Sequence, residues 1–192
     1  MTNRTTVSLL FSAAALAFAF AGQSARAEDK ITLRVGDSFP PTHYVVGFMK
    51  QWMAQVTEAT KGKVAFEHYG SEQLGKAKDM LALTQSGVSD ISYVAPSYVS
   101  EKMPLSAVAE LPGGFDRSCT GTHAYWRLAR GNGILAKREF EPNGVRLLFT
   151  VLGAPYQITT RQEISTIDSI AGLKLRSYGG HQDTAVKALK AV

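Results

Sequence analysis

The sequence predicts an α/β fold built on a parallel sheet, and three observations predict it. Residues 31–35 and Val64–Tyr69 alternate apolar and polar side chains, as half-buried strands do. Between them, residues 44–60 place Val45, Met49, Trp52, Met53 and Val56 at helical spacing. A second helical stretch, residues 75–86, then leads into a third short β segment, residues 90–94. Strand, helix, strand, helix, strand in that order implies parallel strands joined by crossover helices.

The connections agree with this order. Residues 37–42, DSFPPT, carry two prolines that end the first strand and open the first helix. Lys61-Gly62-Lys63 supplies a glycine stop and basic charge at the helix's negative end. Ala77, Met80, Leu81 and Thr84 share one face of the second helix, which Gly87 ends. Residues 104–115 read as irregular connection, followed by helices over residues 120–130 and 133–141. Pro142-Asn143-Gly144 breaks the second of these, and the apolar run 145–152 reads as a buried strand. A short segment at 164–170, a short strand at 173–176 and a helix from His181 onward complete the chain.

Residues 1–27 predict export. Arg4 provides positive charge, residues 7–21 an apolar run, and Ala25-Arg26-Ala27 a small-residue cleavage site. The run is shorter than the roughly 20 residues a membrane span needs, so the mature chain is expected in the periplasm and not inserted in a membrane. Arg4 and Arg26 leave with the leader, taking the formal net charge from +5 to +3. The basic residues are scattered, without runs or interleaved aromatics, which argues against nucleic acid as a partner. Cys119 is the single cysteine, so no internal disulfide forms.

Motifs for catalysis are absent: no nucleophile elbow, zinc-protease, phosphate-loop or dinucleotide signature occurs. His43, His68, His123 and His181 lie far apart, with no metal-ligand spacing, and nothing calls for a metal or cofactor. Cys119, just ahead of a predicted helix, reads as a small buried hydrophobe; an exported enzyme built on it is a distant alternative. Binding residues are sought beyond the carboxyl ends of the strands. Ser38 and His43 follow the first strand, Gln73 the second, and Ser97 and Tyr98 the third. Arg176 ends a short apolar strand ahead of Ser177-Tyr178-Gly179-Gly180 and a helix, a position from which a guanidinium fork meets a carboxylate.

The stretches LRVGDSFPPTH, HYGSEQLGKAKDMLALTQSGVSDISYV and STIDSIAGLKLRSYGG carry a resemblance, with Gly172–Arg176 its most specific part. The sequence resembles the extracytoplasmic binding subunits of tripartite ATP-independent periplasmic (TRAP) transporters, the dicarboxylate-binding-protein family. The resemblance implies a periplasmic-binding-protein-like fold: two α/β lobes with parallel-rich sheets, joined by a hinge and closing on an organic acid. It implies residues 28–150 as the first lobe and 151–192 as the start of a second lobe, incomplete in this chain. It implies that Arg176 pairs with the ligand carboxylate and that membrane permease subunits receive the ligand. Tyr156 stands about where some sialic-acid-binding members carry another arginine. With Tyr178, that implies a smaller or aromatic acid. A sensing module of the same fold, serving a receptor, is the alternative.

Overall fold

The computed structural model describes residues 30–154 and 156–192; the expected leader, residues 1–27, lies outside them. Strand β1 (Ile31–Gly36) occupies the centre of a three-stranded sheet of order β2-β1-β3, with β2 at Val64–Tyr69 and β3 at Ile91–Ser92. Both pairings are parallel, in registers Ile31↔Val64 through Gly36↔Tyr69 and Val35↔Ile91 to Gly36↔Ser92. The predicted parallel α/β architecture is therefore present.

Helix α1 (Tyr44–Ala59) buries Val45, Met49 and Met53, one residue per turn along one face. They pack with Val35 of β1, and Trp52, Phe66 and Phe149 flank the cluster. The helix ends at the predicted stop. Gly62, at φ 81°, donates its N–H to Thr57 O at 2.8 Å. Helix α2 (Met80–Gln85), entered through a 3₁₀ turn at Ala77–Asp79, drives Met80 and Leu81 into the interior.

A second core gathers Leu81, Val99, Met103, Tyr125, Ala129, Leu135 and Phe140. Residues 104–115 are more ordered than the sequence predicts: they contain helix α3 (Pro104–Ala107) and a 3₁₀ turn at Val108–Glu110. The reason lies 34 residues on, where buried Glu139 accepts hydrogen bonds from the N–H groups of Leu105 and Ser106. A carboxylate supplied by a distant segment caps α3, and no local signal announces it. Helix α4 (Ser118–Ala129) buries Gly121, Tyr125 and Ala129 at four-residue spacing. Cys119 falls on the opposite face and is exposed, correcting the expectation of a buried hydrophobe. The expected helix at 133–141 widens into a π turn over Ala136–Phe140.

Two expected strands need correction. Residues 145–152 run extended with no strand partner among the described residues. Residues 144–154 line a cavity of about 770 Å³ together with Ile91–Val94. Residues 173–176 are likewise not assigned to a strand, yet Val192 N donates to Leu173 O at 2.8 Å and Leu175 N to Val192 O at 2.7 Å. That exchange is the first rung of a parallel pair. Helix α5 (His181–Ala188) joins its two sides.

Candidate functional site

Parallel strands bring their carboxyl ends to one edge of the sheet, and the loops that follow define the site. Asp37, fully buried after β1, organises them. Its N–H donates to Tyr69 O at 3.1 Å, its Oδ1 accepts from Phe39 N at 2.7 Å, and its Oδ2 lies 2.5 Å from His68 Nε2. Its carbonyl accepts from Glu72 N at 3.1 Å. Asp37 thus ties the loop after β1 to β2 through its carboxylate and to the turn after β2 through its carbonyl, which fixes Ser38 and Phe39 at the sheet edge.

His43 caps α1, its Nδ1 accepting from Val45 N at 3.3 Å. That bond leaves the ring proton on Nε2. The imidazole stacks on Phe39 at 4.1 Å with an 8° interplanar angle, and Tyr93 meets Phe39 edge-on at 4.7 Å. After β3, a 3₁₀ turn at Pro96–Val99 opens on a proline and presents Ser97 and Tyr98.

The remaining wall comes from the C-terminal part of the chain. Tyr178 N donates to Gln182 Oε1 at 3.0 Å, and Gly179 N to Ser177 Oγ at 3.3 Å, so the turn before α5 is internally braced. Gly180, at φ 55°, approaches the Pro96–Val99 turn so closely that a Cβ would lie 2.7 Å from Ser100 Oγ. This contact places Tyr178 edge-on to Tyr98 at 5.7 Å and beside Tyr156 at 5.6 Å. Arg176, exposed, holds its guanidinium 4.0 Å from the centre of the Tyr178 ring. Hydrogen bonding to Tyr178 pushes its pKa up, so it stays a cation at any physiological pH.

Ser38, His43, Ser97, Tyr98, Tyr156, Arg176 and Tyr178 all line one cavity of about 430 Å³. Gln73 does not line it; it is exposed in the turn after β2, its N–H donating to Gly70 O at 3.2 Å. Glu72, Ala77 and Tyr93, which the sequence reading did not place there, also line the cavity. Glu72 is held by Lys76 Nζ at 2.9 Å and by Ala77 N at 3.0 Å, bonds that lower its pKa. Its charge is offset within its own turn. Burial first, then the Glu110 carboxylate, pushes Tyr93 up to about 12, so its hydroxyl remains a proton donor at neutral pH. One fixed cation beside neutral phenols suits an anion with an apolar body. Among the described residues no cluster of His, Cys, Asp or Glu is arranged to hold a metal, and no helix is long and apolar enough to cross a membrane.

Solved proteins share this fold. The solved TRAP periplasmic solute-binding protein of Desulfovibrio salexigens is 28% identical, with a TM-score of 0.69 over 85% of this chain and 49% of its own. The Bordetella bronchiseptica protein, solved with bound (R)- and (S)-mandelate, is 26% identical, with a TM-score of 0.73 over 84% and 50%. A Rhodoferax ferrireducens TRAP solute-binding protein holding copurified benzoate shares the fold at 23% identity, TM-score 0.71, over 85% and 51%. The chain spans about half the length of these solved proteins. Residues 35–192 match the family described as bacterial extracellular solute-binding protein, family 7, and the chain belongs to that family.

Proposed function

We propose that this chain is a periplasmic solute-binding protein, exported through residues 1–27, that captures a small organic acid for the permease subunits of a TRAP-type transporter. Residues 28–150 form the first wall of its cleft and residues 151–192 begin the second. The observation that carries the reading is Arg176 poised over Tyr178 at a cavity beyond the carboxyl ends of three parallel strands. The mandelate bound by the Bordetella bronchiseptica relative supports a carboxylate ligand.

An organic acid entering the cavity gives up water around its carboxylate, and a guanidinium fork replaces those bonds two at a time. Tyr98, Tyr156 and Tyr178 offer ring surface for the rest of the molecule. Titration of a panel of organic acids into the purified chain tests the reading. Arg176→Ala is expected to weaken binding by about 30-fold to several-thousand-fold, the range for losing one partner of a buried charge pair. Arg176→Lys also binds weakly, because a point charge does not reproduce the fork. Since Arg176 is exposed, neither change moves stability by more than about 0.5 kcal/mol. Unchanged affinity in Arg176→Ala would make it an ordinary surface arginine. Export is tested separately: the N-terminus of periplasmic material is expected at Glu28, and an intact Met1 there rules the leader out.

A further inference from the structure

The basic residues form no run in the sequence, yet the fold gathers several of them. Residues 117–138 hold five lysines and arginines and no Asp or Glu. Arg127, and Arg130 at the C-terminal cap, lie opposite the buried Gly121, Tyr125 and Ala129 of α4, and both are exposed. Lys137 and Arg138 are exposed on the π turn Ala136–Phe140, which packs against α4. Gly133 makes that return possible. Its N–H donates to Arg130 O at 2.9 Å, and a Cβ there would lie 2.1 Å from Leu128 O. Lys137 N then donates to Gly133 O at 3.2 Å, which sets the turn against the end of α4.

The ion pairs among the described residues, Arg34–Asp90, His68–Asp37 and Lys76–Glu72, include none of these four cations. Of the acids next to the stretch, Glu139 is buried and holds α3, while Asp116 and Glu141 pair with none of the four. Leu128 and Ile134, each 49% exposed, stand among the charges. Arg130 reaches to 6.0 Å from the centre of the Trp126 ring. The helix dipole accounts for a cation in the last turn of α4. It accounts neither for Lys137 and Arg138 nor for the bare leucine and isoleucine.

We propose that this surface binds the anionic headgroups of a lipid bilayer, with Arg127, Arg130, Lys137 and Arg138 on the phosphates and Leu128 and Ile134 entering the headgroup layer between them. Each Lys or Arg brought to an anionic leaflet contributes about 5-fold in affinity, and a half-exposed leucine gains by leaving the rest of its water. A headgroup layer takes charge and apolar side chains together without a fixed register, and α4 and its turn present no strand edge to dictate one. None of these residues lines the cavities of about 770 and 430 Å³, so the surface is separate from the acid site and does not rest on that reading. The association is peripheral, for no helix among the described residues is long and apolar enough to cross a membrane.

The test is co-sedimentation of the purified full chain with vesicles of phosphatidylcholine alone and of equimolar phosphatidylglycerol and phosphatidylcholine. Binding is expected on the phosphatidylglycerol vesicles only. Raising the salt from about 0.05 M to about 0.5 M is expected to release it, because the screening length falls from about 14 Å to about 4 Å. Neutralising the patch with Arg127→Gln, Arg130→Gln, Lys137→Gln and Arg138→Gln together is expected to weaken binding by about 30-fold or more. Leu128→Ser with Ile134→Ser is expected to weaken it by about 5-fold or more. Equal binding to both kinds of vesicle, or binding to neither, overturns the proposal in the wild-type chain, so a misfolded variant does not protect it. Full binding by a folded fourfold variant overturns it as well. Capture by polyglutamate without capture by vesicles would assign the surface to an acidic protein partner and overturn the lipid proposal.

Discussion

Two stretches of this chain alternate, β1 in its sequence and residues 145–149 in their burial, and they settle differently. Strand β1 is flanked on both sides, paired with β2 over six residues and with β3 over two. Residues 145–152 also alternate: Val145, Leu147 and Phe149 are half-buried, whereas Arg146 and Leu148 are exposed. Their inward side chains reach both cores, Val145 and Leu147 one of them and Phe149 the other. Their backbone finds other partners, for Val145 N donates to Phe140 O and Leu152 N to Thr122 Oγ1, each at 3.0 Å. Side-chain alternation reports which face of an extended segment is buried. A ladder needs, in addition, a second strand about 4.8 Å away, and the sequence of one segment is silent about that.

The largest effect expected from this contrast is in the sheet region. Met80 is fully buried, and its sulfur lies 3.6 Å from where a Cβ on Gly36 would sit, at the end of β1. Met80→Ala removes contacts on all sides and is expected to cost about 2–5 kcal/mol. Urea unfolding midpoints measure it; a loss below about 1 kcal/mol would show that this core collapses onto the gap. Next comes the distant cap on α3. Glu139 is 2% exposed and accepts from Leu105 N, from Ser106 N at 2.9 Å and from Ser106 Oγ at 2.5 Å. Glu139→Ala strands those donors and is expected to cost about 2–4 kcal/mol, each unsatisfied group contributing about 1–3 before relaxation. Glu139→Gln keeps one acceptor oxygen, so it should lose roughly half as much in the same measurement.

These two sites also show what was legible in the sequence. The first sheet and α1 could be read because their signals are local: alternation over Val64–Tyr69, helical spacing through Val45, Met49 and Met53, a glycine stop at Gly62. The loops that make the cavity could be read for a topological reason, since parallel strands deliver their following residues to one edge. What escaped depends on pairs far apart in sequence. Glu139 capping α3, Gly180 seated against Ser100, and Glu110 behind Ser97 are 34, 80 and 13 residues from their partners. Glu110 sat in a stretch that read as irregular, and nothing near it marks a buried carboxylate.

An intermediate effect appears at alkaline pH. Burial pushes Tyr125 and Tyr93 up to about 12 from an ordinary 10.0. A phenol raised in the folded chain is protonated there while its unfolded counterpart has begun to ionise. The folded state therefore binds more protons between these values, and stability falls as pH rises through that window. Below pH 10 the contribution is intact. For Tyr125, only 8% exposed, the rise corresponds to at most about 3 kcal/mol. Urea midpoints at pH 9, 10.5 and 11.5 are expected to fall in that order, and Tyr125→Phe should flatten the decline. An equally steep decline in that variant would assign it to other groups.

The smallest expected effect tests residues 145–152 directly. Leu148 is 46% exposed, so Leu148→Lys replaces an apolar side chain already largely in water. Its neighbour Leu147 packs against the second core. If the alternation means only that one face is buried, Leu148→Lys changes stability by less than about 0.5 kcal/mol, whereas Leu147→Ala costs about 1–3 kcal/mol, somewhat less than a fully buried leucine. In β1, by contrast, a change at the inward Val35 is felt through both neighbouring strands. The comparison breaks if Leu148→Lys proves as costly as Leu147→Ala. That outcome would mean the outward face is covered in solution, and sedimentation velocity on the wild-type chain would then show whether a second copy covers it.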